Sequence, residues 1–226
     1  DRTHNPEFTS LEFYVAYKDY HWMMELTETI FETVAQKLHG QTQVQVGENQ
    51  VEFAGPYPRL TISEAILKYS GVDVDALSED ELRARCLAFG MEVDEQMGKG
   101  KLIDELFGEK VEANLIQPTF IIDYPVEMSP LTKKHRSKEG LVERFELFVN
   151  GKEIANAYSE LNDAIDQKER FEDQLKLAAR GDDEAMAVGQ LEQRLPFGKW
   201  HHGAGGVAGR AHKQQLGLGP HVGRHA

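Results

Sequence analysis

The sequence predicts an α+β fold in which helices flank a mostly antiparallel sheet. Two observations support this prediction: strand-like runs follow one another across tight turns, and amphipathic helical stretches lie outside these pairs. The dipeptide Asn150-Gly151, a strong hairpin signal, separates the period-two runs 141–149 and 153–161. A second compact hairpin is predicted over 43–53. Strands joined as hairpins, rather than through crossover helices, favour antiparallel pairing.

Besides its hairpin, the N-terminal half contains one predicted strand and two predicted helices. Residues 9–18 alternate apolar and polar side chains, which predicts a strand. From 20 to 39 the apolar residues recur at helical spacing, and the following Gly40 is typical of a helix end. Thr61 or Ser63 is a suitable N-cap for a short helix after the hairpin.

The C-terminal half begins with a charged block. Residues 71–112, with Ser78 and Asp94 as candidate N-caps, predict a small helical insertion whose charges face solvent. A short apolar strand is predicted at 120–124. The amphipathic stretch 163–179 predicts a last helix, with its first residue, an Asp, as the cap.

Composition limits the classes of function. The net charge of −13 argues against a broad basic surface for nucleic acid, so an RNA partner would be held locally. The single Cys86 permits neither an internal disulfide nor a cysteine zinc site. No apolar run approaches the roughly 20 residues of a membrane span, so we expect a cytoplasmic protein without membrane contact.

One basic cluster lies in the loop after the strand at 120–124. A contact with phosphate and a solvated loop are both compatible with this cluster. Its members are Lys133, Lys134, His135, Arg136 and Lys138.

Acidic and amide side chains share faces of the predicted strands. Period-two alternation places Glu12 and Tyr14 on one face, and Asn156 and Glu160 together on the face that also carries Ile154. A buried carboxylate is unfavourable unless it is paired, so two converging carboxylates favour a ligand that brings an ammonium group. The alternative is that these acids occupy exposed positions of a solvated sheet.

A second acidic pair lies beside the Asn-Gly turn. Glu146 and Glu153 approach each other across the hairpin, and Mg²⁺ would relieve their repulsion while bridging to phosphate oxygens. The alternative is a basic partner such as Lys152 or Arg144.

Several segments, in the same order, resemble the class II lysyl-tRNA synthetases. The resemblance covers roughly residues 1–188. The matching segments are His4-Asn5-Pro6-Glu7-Phe8-Thr9 with Glu12 and Tyr14, which resemble the second half of motif 2; Tyr124-Pro125-Val126-Glu127-Met128-Ser129-Pro130-Leu131; Arg144-Phe145-Glu146; and Glu153-Ile154-Ala155-Asn156-Ala157-Tyr158-Ser159-Glu160-Leu161-Asn162-Asp163.

The resemblance implies a class II synthetase catalytic domain that is active as a homodimer. It implies activation of lysine by ATP and transfer of lysine to tRNA(Lys), with Mg²⁺ as cofactor. No residue is assigned as an acid or base, because this chemistry depends on positioning and charge neutralisation. The implied sites are Glu12, Tyr14, Asn156 and Glu160 for lysine; His4, Asn5, Glu153 and Ile154 for ATP; and Glu146 and Glu153 for the metal.

Both ends depart from the family pattern. The chain begins inside motif 2, so we expect a fragment with an incomplete catalytic domain over 1–188 and impaired activity. The Gly- and His-rich tail 189–226 resembles an out-of-frame translation of motif 3. Two alternative functions remain: a stand-alone lysyl-ligase paralogue that modifies a protein, and a truncated binding form without catalysis.

Overall fold

The computed structural model of the chain describes residues 7–178. Short 3₁₀ turns at Glu112–Asn114 and Val126–Met128 supplement the regular elements. In chain order these elements are α1 (Tyr20–His39), β1 (Gln43–Val46), β2 (Asn49–Glu52), β3 (Arg59–Thr61), α2 (Ile62–Ser70), α3 (Glu79–Ala88), α4 (Lys99–Lys110), β4 (Thr119–Ile122), β5 (Arg144–Val149), β6 (Lys152–Tyr158) and α5 (Ala164–Ala178).

The main sheet has four strands in the order β3-β4-β5-β6, and β1 and β2 form a separate hairpin. β4, β5 and β6 pair antiparallel as predicted, but β3 and β4 are parallel. A parallel pair needs a crossover connection, and α2, α3 and α4 supply it. The sheet is therefore mixed, with two antiparallel pairs and one parallel pair.

Local signals account for most element boundaries. Asp19 accepts a hydrogen bond from the Trp22 amide at the start of α1, and Gly40 ends that helix with a φ of 71°. Thr61, rather than Ser63, caps α2 in a reciprocal capping box with Glu64. A second capping box, formed by Ser78 with Glu81, opens α3 as predicted. The predicted cap at Asp94 is wrong, because Gly98 precedes α4 without a side-chain hydrogen bond.

Two hydrophobic clusters lie on opposite faces of the sheet. On one face α2, α3 and α4 bury an apolar layer against Ile121 and Phe148. On the other face α1 and the β1–β2 hairpin pack against Phe120 and Phe145, whose rings meet edge to face at 5.0 Å. The charged helical block thus has a buried apolar core of its own, which is continuous with the sheet.

The predicted strand at 9–18 is wrong. Residues 7–18 are exposed and contain no strand, and the apolar side chains of Leu11, Tyr14 and Tyr17 face solvent. A strand requires a neighbour that satisfies its backbone N–H and C=O groups, and no strand between 7 and 178 pairs with this segment. Alternation alone therefore does not make a strand.

Candidate functional site

The β5–β6 hairpin brings three of the expected site residues together. Glu146 lies opposite Asn156 in the strand ladder, and the register shifts after the next pair, Leu147 and Ala155, so that Ile154 has no direct partner. The Asn156 amide Nδ2 donates to Glu146 Oε1 and to Glu153 Oε1, each at 3.2 Å. Strict alternation had placed Glu153 and Asn156 on opposite faces, and the bulge corrects that prediction.

Glu146 is held by protein donors at both carboxylate oxygens. The buried Tyr124 hydroxyl donates to Oε2 at 2.7 Å, and the Arg144 guanidinium donates to Oε1. Arg144 also lies over the Tyr124 ring, 4.7 Å from its centroid. Loss of hydration on burial and the negative charge of Glu146 raise the pKa of Tyr124, so its hydroxyl remains a donor. Arg144 is therefore the basic partner of Glu146 that the alternative interpretation expected.

The charge of Glu153 is compensated by fewer hydrogen-bond donors than the charge of Glu146. Loss of hydration and the charge of Glu146 raise the pKa of Glu153 to about 7, although the side chain retains solvent contact. Glu112, just after α4, carries a third carboxylate whose pKa is raised by burial and by the charge of Glu146. The sheet and the helical insertion thus concentrate negative charge at this edge of the hairpin.

The acidic pair offers two carboxylates to a Mg²⁺ ion. Within residues 7–178, no group of three or more His, Cys, Asp or Glu side chains is arranged to hold a metal ion. Mg²⁺ is often bound by only one or two carboxylates together with waters and substrate phosphates. Uncompensated charge at Glu153, beside an oriented Glu146, fits that type of site.

The other expected residues for lysine interact electrostatically near the end of β6. Loss of hydration, followed by the charges of Glu12 and Glu160, raises the pKa of Tyr14, so both carboxylates are within electrostatic reach of Tyr14. Burial raises the pKa of Glu160. Loss of hydration raises the pKa of Tyr158, Glu160 and Tyr14 raise it further, and Arg144 lowers it, so this side chain lies between the Glu160 group and the hairpin site. The segment 7–18 thus approaches the β6 end without forming a strand.

The residues expected to bind ATP are only partly visible. His4 and Asn5 lie outside the described residues. Ile154 is the additional residue of the bulge and is 40% exposed. Glu153 is adjacent to it and faces the acidic edge. The Gly- and His-rich tail also lies outside the part of the chain that the structure describes.

Sequence reasoning missed Tyr124 as a partner of Glu146 and missed Glu112 altogether. Tyr124 begins the segment 124–131 that resembles the family. Its hydrogen bond to a residue 22 positions away, however, depends on strand pairing. Glu112 was included in a block whose charges were expected to face solvent, and its proximity to the hairpin is a tertiary contact. No local pattern distinguishes Glu112 from its exposed neighbours.

The basic loop at 133–138 is tied to internal carboxylates. Arg136 Nη2 donates to Asp19 at 2.9 Å and to Glu143 at 3.0 Å. Lys138 Nζ donates to the buried Asp123 at 2.6 Å. These ion pairs attach the loop to the start of α1 and to the sheet. Arg136 and Lys138 therefore form ion pairs within the protein, which a merely solvated loop would not do.

The chain belongs to the class II tRNA synthetases (D, K and N), whose family model matches residues 1–208. The α+β fold predicted for this class is confirmed. Between residues 7 and 178 no helix is both long enough and apolar enough to cross a membrane.

Among curated proteins, the chain is similar to enzymes named lysine–tRNA ligase. It is 63% identical over 188 residues to that of Porphyromonas gingivalis strain ATCC 33277, covering 83% of this chain and 32% of the relative. The Christiangramia forsetii protein is 60% identical over 188 residues, 83% of this chain and 33% of the relative. The Azobacteroides pseudotrichonymphae protein is 54% identical over 201 residues, 87% and 40% respectively.

The chain thus spans about a third of the length of the first of these relatives. The resemblance to the lysine enzymes is confirmed. The relatives give no support to a protein-modifying paralogue or to a non-catalytic binding form.

Proposed function

We propose that this chain provides the lysine pocket and part of the ATP site of a lysine–tRNA ligase. The observation that supports the proposal best is the acidic surface along β6, which carries carboxylates at both ends of the strand. Asn156 bridges Glu146 and Glu153 at one end of it, and at the other end Glu160 and Glu12 both act electrostatically on Tyr14. A ligand with two ammonium groups and a nucleotide with a divalent cation would both relieve its repulsion.

In this proposal Glu12, Tyr14, Asn156 and Glu160 bind lysine. Loss of hydration raises the pKa of Glu160 although the residue stays exposed, and an ammonium group would restore the balance of charge there. A carboxylate or neutral amide side chain offers no such compensation, so the pocket favours lysine over aspartate or asparagine.

Glu146 and Glu153 would hold Mg²⁺, which neutralises and orients ATP phosphates in phosphoryl chemistry. Tyr124 and Arg144 orient Glu146 for that role through their hydrogen bonds to its two oxygens. His4, Asn5, Glu153 and Ile154 would contact the nucleotide. These residues position and neutralise charge, while the lysine carboxylate attacks the α-phosphate and pyrophosphate leaves.

Transfer of lysine to tRNA(Lys), a homodimer and a cytoplasmic location complete the proposal. They rest on the resemblance and on the composition. We further infer that the 226-residue chain alone is slow in catalysis. The segment that carries Glu12 and Tyr14 is exposed and has no strand partner between residues 7 and 178, so this side of the pocket is poorly fixed.

Calorimetric titration of the 226-residue chain with lysine, in the presence of Mg²⁺ and ATP, tests the proposal. We expect binding that Glu160→Gln weakens by about tenfold or more, the effect of losing a hydrogen bond to a charged group. Glu169→Gln, on the exposed surface of α5, is the matched control and should bind as the unchanged chain does. Absence of lysine binding, or equal binding by both variants, would contradict the proposal.

A further inference from the structure

Asp123, the residue that follows β4, combines a buried carboxylate with a left-handed backbone. Its φ is 60°, and only 2% of the residue is exposed. Between residues 7 and 178, Tyr17 and Asn150 are the other non-glycine residues with a positive φ. Tyr17 is exposed and Asn150 lies in the β5–β6 turn, whereas Asp123 is left-handed within the core. Residues other than glycine, asparagine and aspartate rarely adopt this conformation.

The left-handed residue changes which side of the sheet its neighbours face. On β4, Phe120 packs on the α1 side, whereas Ile121 packs on the side of α2, α3 and α4. Strict alternation would therefore direct Asp123 toward those three helices and Tyr124 toward α1. The structure shows the reverse. Asp123 accepts a hydrogen bond from Tyr20 of α1, and Tyr124 is buried in the same cluster as Ile121.

This change of face allows Tyr124 to reach Glu146. Leu147 packs on the α1 side of β5, so its neighbours Glu146 and Phe148 face α2, α3 and α4, where Phe148 is buried. The Tyr124 hydroxyl donates to Glu146 Oε2 at 2.7 Å from that side. A tyrosine that followed strict alternation would point to the opposite side of the sheet and could not make this hydrogen bond.

Two donors from separate elements hold the Asp123 carboxylate. The Tyr20 hydroxyl of α1 donates to Oδ1 at 2.9 Å, and Lys138 Nζ of the loop before β5 donates to Oδ2 at 2.6 Å. Burial and the charge of Asp123 raise the pKa of Tyr20, so its hydroxyl stays protonated and remains a donor. Both carboxylate oxygens are therefore engaged, which fixes the residue that carries the left-handed backbone.

We propose that Asp123 is a positioning residue for Glu146, because its fixed left-handed backbone places the Tyr124 hydroxyl on the side of the acidic pair. The inference rests on the proposed function for the role of Glu146 in holding Mg²⁺. The placement of Tyr124 does not depend on that role. Asp123 acts through Tyr124, and its own carboxylate is engaged by Tyr20 and Lys138.

The ring carbon that bears the Tyr124 hydroxyl reports the hydrogen bond to Glu146 without any ligand. In the 226-residue chain with isotope-labelled tyrosine, Tyr124→Phe identifies this resonance among the seven tyrosines by its loss. We expect Asp123→Ala to shift the resonance, because alanine binds neither donor and disfavours a positive φ. Asp123→Gly, which permits a positive φ, should restore most of the wild-type position. Equal shifts in both variants, or no shift in Asp123→Ala, would overturn the inference.

Lys138→Ala gives a second test, which decides if Asp123→Ala does not fold. It removes one of the two donors to Asp123 and should shift the Tyr124 resonance. Lys134→Ala, in the same loop but paired with Asp166, is the matched control and should leave the resonance unchanged. An unchanged resonance in Lys138→Ala, or equal shifts in the two lysine variants, would overturn the inference.

Calorimetric titration with ATP and Mg²⁺ measures the consequence for the site. Asp123→Ala should weaken nucleotide binding about tenfold, and Asp123→Gly should recover most of the affinity. In the Tyr124→Phe background, Asp123→Ala should change the affinity by no more than about twofold, because Asp123 acts through the missing hydroxyl. Equal losses in the two backgrounds would overturn the inference. If the unchanged chain binds no nucleotide, the proposed function is contradicted, and the Tyr124 resonance alone decides the inference.

Discussion

Glu146 lies opposite Asn156 across the β5–β6 ladder, and a hydrogen bond of 3.2 Å joins the two side chains. The bulge at Ile154 brings Glu153 to the same amide. Asn156 therefore links Glu146, whose two carboxylate oxygens both accept hydrogen bonds from the protein, to Glu153, whose charge is only partly compensated.

Glu153→Gln is expected to stabilise the protein at about pH 8 when Mg²⁺ is absent, and to have little effect near pH 4. The folded-state pKa of Glu153 is raised from 4.5 to about 7, so the folded protein binds this proton more tightly than the unfolded chain does. The free energy of unfolding of the wild type therefore falls as pH rises between those values. The gain at pH 8 should be about 1 kcal/mol, well below the full linkage value, because solvent screens the carboxylate.

Urea unfolding at the two pH values measures this difference. Glu48→Gln, on the exposed turn between β1 and β2, serves as the control for removal of a carboxylate. A gain that is independent of pH would contradict the account of Glu153.

Tyr124→Phe should lower the free energy of unfolding by about 1–3 kcal/mol near neutral pH, because the buried hydroxyl donates to a carboxylate of the site. Arg144 and Asn156 still hold the other oxygen of Glu146, so the fold should persist. Tyr17→Phe, at a fully exposed side chain, should change stability by less than about 0.5 kcal/mol in the same measurement. Equal effects of the two changes would show that the Tyr124 contact is unimportant.

Thr61→Ala should destabilise the protein by about 1 kcal/mol, because it removes the capping box of α2. Thr29→Ala is the matched control on the exposed surface of α1, where alanine is at least as favourable as threonine. Thermal unfolding distinguishes the two variants, and a lower midpoint for Thr29→Ala than for Thr61→Ala would be the contrary result.

Features that depend on neighbouring residues were predictable from the sequence. The Asn150-Gly151 turn has φ values of 53° and 70°, as a tight hairpin requires, and Gly40 and Ser78 bound helices where expected. The Asn-Gly turn predicted the antiparallel hairpin that carries Glu146, Glu153 and Asn156.

Features that depend on distant residues were not predictable. The parallel pairing of β3 with β4 requires a long crossover connection, and hairpin signals do not predict such a connection. The bulge at Ile154 changes which side chains share a face, although residues around it alternate normally. The segment 9–18 alternates as a strand does, but pairing with another strand decides whether it becomes one.

The central claim is that the β6 surface selects lysine by its ammonium groups. Competition calorimetry of the 226-residue chain with lysine, asparagine and aspartate, each with Mg²⁺ and ATP, tests it most directly. The account predicts that lysine binds at least about tenfold more tightly than either of the others, since neither brings a cationic side chain to Glu160. Equal affinities for the three amino acids, or a preference for aspartate or asparagine, would contradict it.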